Sequence, residues 1–237
     1  MKLPIGRVHD LLRRVGYEVI PLPVDRLLRR APDVLLDVGA NEGQFARDAR
    51  RRGFTGRIVS FEPLPDAFAR LAKAARPDAA WEVRNEALGA EAGRLPMHVA
   101  SSDASSSLLP PSPRMGEFAG FLAFEEGAEV AVRPLDELFA QVCRPGDRVA
   151  MKVDTQGYER AVLAGAEGSL GRIDALMLEL SFTPLYAGEP PVEDVLAWLR
   201  ARGFAPAYIA PAFAERPSRR WLQADVLLVR DTEGESA

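Results

Sequence analysis

Short apolar runs alternate along the chain with stretches whose apolar positions fall at helical spacing. Val34–Val38, Arg57–Phe61, Ala80–Arg84, Arg148–Val153 and Ile173–Leu180 read as strands. Between them, Gln44–Arg52 reads as a helix closed by Gly53, and Pro65–Ala75 as a helix with proline in its first turn. Leu135–Val142 and Tyr158–Ala164 follow as helices. Val192–Arg202 turns Val195, Leu196 and Leu199 inward and stops at Gly203. Arg94–Ala100 alternates loosely and suggests an extra strand after the Gly89–Gly93 turn, and Val130–Val132 a short one. The last two strands, Phe204–Ile209 and Ala224–Val229, have no helix between them, which predicts a closing antiparallel hairpin. Strands alternating with helices predict an α/β fold with a doubly wound, mostly parallel sheet whose last strand is antiparallel.

The flanks differ in character. Residues 1–30 carry a helix-like stripe at Val8, Leu11, Leu12 and Val15, then Leu27 and Leu28 in a second short helix, and read as a helical cap on a domain spanning 31–231. Residues 101–127 are rich in serine and then proline, and a segment of that length inside a compact domain predicts a lid or substrate loop. Residues 232–237 read as a flexible polar tail.

Composition narrows the classes. The chain of 237 residues is 47% apolar and carries a net charge of −4, so it has the means for a core and no basic footprint for nucleic acid. A single cysteine, Cys143, excludes an internal disulfide. No run is apolar for the ~18 residues that a membrane helix needs, and charges among the first residues leave no secretory core segment. These features predict a cytoplasmic protein without a membrane span. They set no oligomeric state.

The candidate chemistry begins at Asp37-Val38-Gly39-Ala40-Asn41-Glu42-Gly43-Gln44-Phe45, a strand–loop–helix junction of the kind that binds nucleotides at the carboxyl edge of a parallel sheet. Glu62, at the end of the next strand, suits a ribose. The dinucleotide fingerprint needs glycines where Asn41 and Gln44 stand, and Asp37 would repel a pyrophosphate. A sulfonium and an ammonium group suit that acid better, which favours S-adenosylmethionine over a nicotinamide dinucleotide.

With these segments the chain resembles the FkbM-like family of S-adenosylmethionine-dependent methyltransferases. The resemblance rests on Leu36–Phe45, Ser60-Phe61-Glu62-Pro63-Leu64, Asn85-Glu86-Ala87-Leu88-Gly89, Ser105-Ser106-Ser107-Leu108-Leu109 and Leu135-Asp136-Glu137-Leu138. It continues through Lys152-Val153-Asp154-Thr155-Gln156-Gly157-Tyr158-Glu159 and Glu179–Phe182 with Leu185-Tyr186. It implies a seven-stranded class I, Rossmann-like methyltransferase fold. It implies that Asp37, Gly39, Asn41 and Gly43, with Phe45 beside them, shape the methionine end of the cofactor site. Glu62 and Pro63 would hold the ribose, and Asn85, Glu86 and Ala87 would lie near the adenine. Family members act mostly on hydroxyls of glycans, lipids or secondary metabolites, and some on nitrogen. The histidine that members often carry after the serine-rich segment has no counterpart here: Arg114-Met115 stands there, and the only histidines are His9 and His98.

Methyl transfer from a sulfonium needs alignment of nucleophile, methyl and sulfur, and a hydroxyl nucleophile gains from a base. Asp154, at the end of the strand expected beside the first, is the candidate for that task and also faces the cofactor. Lys152 shares its strand face and needs Asp154, Asp37 or Glu179 as a partner. Glu179 interrupts an apolar strand, to orient the acceptor or fix Lys152. Ser105, Ser106, Ser107, Tyr158, Phe182 and Tyr186 are expected to wall the acceptor, with Phe213–Trp221 nearby. Arg216, Arg219 and Arg220 read as solvated loop charges. No metal-ligand set is evident, so magnesium is not expected to be obligatory. The leading expectation is an O-methyltransferase acting on a small-molecule acceptor, a saccharide or glycosylated metabolite. An N-methyltransferase, a non-catalytic S-adenosylmethionine-binding protein and, less favoured, an NAD-dependent oxidoreductase stand as alternatives.

Overall fold

A computed structural model describes residues 14–15, 22–119, 122–215, 218 and 220–230 of the chain. Val8, Leu11 and Leu12 of the expected stripe, the 232–237 tail, Arg216 and Arg219 lie outside the described residues, and Val15, the stripe's last member, is exposed.

The order of elements is α1 (Pro23–Leu28), β1 (Val34–Val38), α2 (Gln44–Arg51), β2 (Arg57–Phe61), α3 (Pro65–Ala75) and β3 (Trp81–Arg84). There follow β4 (Ala87–Leu88), β5 (Gly93–Ala100), α4 (Pro113–Ala119), β6 (Phe124–Arg133), α5 (Leu135–Val142) and β7 (Val149–Val153). The chain ends with α6 (Glu159–Ala164), β8 (Ile173–Ser181), α7 (Val192–Arg200), β9 (Phe204–Ala214) and β10 (Trp221–Arg230).

Seven strands form one sheet in the order β3-β2-β1-β7-β8-β10-β9. β1 pairs in parallel with β2 and β7, and β8 in parallel with β7. β10 runs antiparallel to both β8 and β9, so the last strand alone opposes the rest. The strands of β1 and β7 are buried throughout because helices cover both faces. Side chains alternate between two cores. Leu36 and Val38 join Met151, Leu138 and Val162 on one face, whereas Leu35 joins Ile58, Leu71 and Trp81 on the other. Leu27 of α1 is buried in the second of these cores.

A second sheet, β4-β6-β5, rests beside the first. It corrects the reading of residues 101–127 as one long loop. That segment holds a 3-10 turn at Asp103–Ser105, helix α4 and the first residues of β6. Pro113 starts α4, where a missing N–H is harmless. β6 is ten residues long rather than Val130–Val132 alone. A register shift opposite Pro96 and His98 breaks its alternation, which hides the strand from a period-two reading.

Candidate active site

The carboxyl ends of β1, β2, β7 and β8 meet over the loop after β1. Gly39 has a φ of 71°, and a Cβ there would lie 1.9 Å from the Asp154 carbonyl oxygen, so this approach of two strand ends admits only glycine. Asn41 also takes a left-handed φ, 48°, and its amide donates to Glu62 Oε2 at 2.8 Å. The Leu64 amide donates to Glu62 Oε1 at 2.9 Å. Burial pushes the Glu62 carboxyl pKa up, against the pull of these two donors. Asn85 Nδ2 donates to the carbonyls of Glu62 at 2.9 Å and Pro63 at 3.1 Å. It therefore supports the β2 end from behind.

Lys152 is the hub. Its Nζ donates to the Gly39 carbonyl at 2.7 Å and the Val38 carbonyl at 3.3 Å, and lies 3.3 Å from Asp37 Oδ1 and 3.6 Å from Asp154 Oδ2. Burial depresses its pKa, but Asp154 and Asp37 outweigh burial and the net shift is upward. Lys152 thus stays charged and ties the glycine loop to both acids. Glu179 does not contact it. Instead Gln156 Nε2 donates to Glu179 Oε2 at 2.7 Å and to Asp154 Oδ1 at 2.8 Å. Burial, then the Asp154 charge, push the Glu179 carboxyl well above its usual range.

Glu159 shapes the loop that carries these groups. Its Oε1 accepts from the Thr155 amide at 2.8 Å, the Thr155 hydroxyl at 3.1 Å and the Gly157 amide at 3.3 Å. Burial pushes its pKa up to about 8. A folded-state pKa above the unfolded value means stability that is full in acid and is lost as pH rises through about 8. Glu159→Gln keeps the acceptor and removes the proton. Urea midpoints measured from pH 5 to 9 are expected to fall with pH in the parent and to fall less steeply in this variant; equal slopes would refute the assignment.

Two cavities open on this cluster. The first, about 370 Å3, is lined by Gly39, Asn41, Phe45, Glu62, Pro63, Ala87, Ser106, Lys152, Asp154, Tyr158 and Glu179 among others. The second, about 320 Å3, includes Ser105, Glu179 and Tyr186. Ala104, Gln156 and Glu179 line both, so the cavities share a wall. The Tyr186 hydroxyl donates to the Ser105 carbonyl at 2.7 Å, which fastens the serine-rich segment to that wall.

Six expected site residues do not line either cavity. Asp37 is 0% exposed; it faces Lys152 and accepts from the Ser60 hydroxyl at 3.1 Å, because its strand is buried on both faces. Gly43 packs its backbone against Trp81 and Leu71. Asn85 is spent on backbone carbonyls, and Glu86 lies 3.6 Å from Arg84 instead. The Ser107 hydroxyl is used locally, donating to the Gln156 carbonyl at 2.7 Å and accepting from the Leu109 amide at 3.0 Å. Phe182 stands 46% exposed past the end of β8. Trp221 is likewise outside both cavities, whereas Phe213 lines the second. Arg220 is engaged, donating to Thr183 Oγ1 at 2.7 Å.

The sequence reading missed Gln156 and Asp225. Gln156 adopts φ 55° beside Gly157, an unusual state for a side-chain-bearing residue at a functional loop. Asp225 interrupts the apolar β10 as Glu179 interrupts β8, and the two are register partners. Burial, then Asp154, push the Asp225 pKa to about 6.

The donor set decides which ligand fits. Glu62, Asp154, Glu179 and Asp225 line the first cavity, and Lys152, committed to Asp37 and the loop carbonyls, is the only cation among its described lining residues. A pyrophosphate would meet carboxylates and no free cation. A sulfonium and an ammonium meet the charges they need. The charge argument therefore holds at the cavity's carboxylates and not at Asp37, which is already paired. Among the described residues no group of three or more potential ligands is arranged for a metal, and no helix is long and apolar enough to cross a membrane.

Comparison with known proteins agrees with this architecture. The model of the methyltransferase FkbM domain matches residues 37–206. The 2-O-methyltransferase NoeI of Sinorhizobium fredii is 28% identical over 178 residues, covering 72% of this chain and 72% of NoeI. Among solved structures, Sp1610 of Streptococcus pneumoniae, a candidate tRNA (m1A22) methyltransferase, superposes with a TM-score of 0.50 at 13% identity, covering 92% of this chain and 74% of its own. An rRNA methylase from Streptococcus thermophilus gives 0.47 at 13% identity, covering 97% and 98%. At 13% identity the likeness to Sp1610 speaks to the class I methyltransferase fold alone.

Proposed function

This chain belongs to the methyltransferase FkbM domain family, whose donor is S-adenosylmethionine, and from that premise we propose that it methylates a hydroxyl of a small molecule, a saccharide or glycosylated metabolite. The observation that carries the reading is Asp154, whose carboxylate stands in the first cavity and is hydrogen-bonded to Gln156 on the wall shared with the second. The donor fits the first cavity, with Glu62 near its ribose and the carboxylates near its cationic end. The acceptor fits the second, with the 101–127 segment as its wall. The 2-O-methyltransferase relative favours oxygen over nitrogen.

When bound, the donor supplies a methyl group on a sulfonium that leaves as a neutral thioether. Asp154 accepts the hydroxyl proton as the new carbon–oxygen bond forms. Lys152 stands 3.6 Å from the Asp154 carboxylate, and Gln156 fixes its direction. No step draws on a metal, and a cytoplasmic setting fits the single buried cysteine.

Calorimetry in the presence of a chelator tests the reading. S-adenosylhomocysteine is expected to bind and NAD not to bind. Labelled methyl donor should then mark an oxygen of a saccharide or glycoside, read by mass, with the chelator still present. NAD binding without S-adenosylhomocysteine binding, a methylated nitrogen, or activity restored only by magnesium would each overturn the corresponding part.

A further inference from the structure

The second cavity has two unlike ends. Gln156, Glu179 and Gln223 form the end that meets the first cavity, while Met115, Leu122, Leu185 and Phe213 are at the other. Met115, Leu185 and the Tyr186 ring belong to a small core of their own, against which Leu122 and Phe213 pack partly exposed. Among the described residues no lysine or arginine lines the cavity. Glu179 is held by amides, from Gln156 at 2.7 Å and Gln223 at 3.3 Å, and by no cation among the described residues.

We propose that this cavity takes the apolar body of an uncharged acceptor, an aryl or alkyl group beside the reacting hydroxyl, and rejects acceptors that carry a phosphate or carboxylate there. The inference rests on the assignment of the acceptor to this cavity. A hydroxyl at the shared wall finds Gln156 and Glu179 as partners, with Asp154, hydrogen-bonded to Gln156, just beyond it in the first cavity. The adjoining apolar atoms leave water for the Met115–Phe213 end. A free sugar would bring hydroxyls to that end and leave them without partners, which burial penalises. An anionic group would be desolvated beside Glu179 and apolar side chains with no cation among the described lining residues to offset it, so rejection is built into the lining. Within the glycosylated class, apolar glycosides are therefore preferred to free saccharides and to sugar phosphates.

Binding of 2-naphthol, 2-naphthyl phosphate and glucose to the S-adenosylhomocysteine-loaded protein, followed by calorimetry, tests this. 2-Naphthol is expected to bind about tenfold or more tightly than either other probe, through apolar contact without a charge penalty. Phe213→Asn and, separately, Leu122→Asn should weaken 2-naphthol about fivefold while leaving the affinity for S-adenosylhomocysteine unchanged, which also reports that each variant is folded. Equal or tighter binding of the phosphate or of glucose, no binding of 2-naphthol, or indifference to both substitutions would overturn the proposal. Failure of S-adenosylhomocysteine to bind would count against the donor site instead. The same probes on the unloaded protein and its two variants then judge the second cavity by itself.

Discussion

Asp154→Asn is expected to lower turnover by about 10²–10⁴-fold, the range for loss of a positioned base, while S-adenosylhomocysteine affinity stays within about threefold. The substitution is nearly isosteric, and the oxygen of the new side-chain amide can still accept from Gln156 Nε2, so the loop keeps its shape. What disappears is the proton acceptor in the first cavity, beside the shared wall, and the carboxylate partner 3.6 Å from Lys152. A variant that lacks its base relies on solvent hydroxide. Its residual rate should therefore climb with pH across a range where the parent is flat. Single-turnover rates with saturating donor and acceptor check both statements. Unchanged turnover with bound cofactor would leave Asp154 as a structural partner of Lys152.

The largest effect on stability is expected at Lys152. Lys152→Met removes the only cation among the described residues paired with the fully buried Asp37 and strips the Val38 and Gly39 carbonyls of a donor. Breaking one side of a buried ion pair costs about 3–5 kcal/mol. For a domain of marginal stability that is a large share, and urea unfolding should show it as a lower midpoint. Adding Asp37→Asn to Lys152→Met takes away the orphaned charge, so part of the loss should return. A destabilisation below about 1 kcal/mol in the single variant would mean that Asp37 is satisfied by Ser60 alone. The double variant also separates folding from function, because a recovered fold with weak cofactor binding would locate the role of Lys152 in the glycine loop.

Much of this site can be read from the sequence, and the remainder has physical reasons for being hidden. The sheet is legible because β1, β2 and β7 are largely apolar runs followed at once by Gly39, Glu62 and Asp154, and β8 is an apolar run closed by Ser181. The spacing of Lys152 and Asp154 places both on one strand face, and their charged groups lie 3.6 Å apart. Asp37 misleads because a strand buried on both faces offers no polar side, so its sequence position at the loop mouth says nothing about which way the carboxylate points. Phe182 misleads for a related reason: one residue past β8 the alternation no longer binds it, and it turns outward. Gln156 and Asp225 are hidden because their importance is relational. Gln156 matters through two carboxylates that reach it from β7 and β8. Asp225 matters through the antiparallel register between β8 and β10, strands far apart in sequence, that brings it opposite Glu179. The apolar end of the second cavity depends on helix α4, which a serine- and proline-rich segment conceals.

The position of β1 has a consequence for the order of assembly. On one side it is tied to β2 over a short span, as Asp37 and Ser60 are 23 residues apart. On the other it is tied to β7 over a long one, as Asp33 and Arg148 are 115 residues apart. Closing a loop five times longer costs about 1.4 kcal/mol more chain entropy, so β1 and β2 gain their contacts more cheaply than β1 and β7. The glycine loop, however, is finished only when Lys152 reaches its carbonyls from β7. The donor pocket is thus begun by the first quarter of the chain and completed by a strand that arrives late. During refolding, affinity for S-adenosylhomocysteine should appear with the last long-range pairing and not with the first.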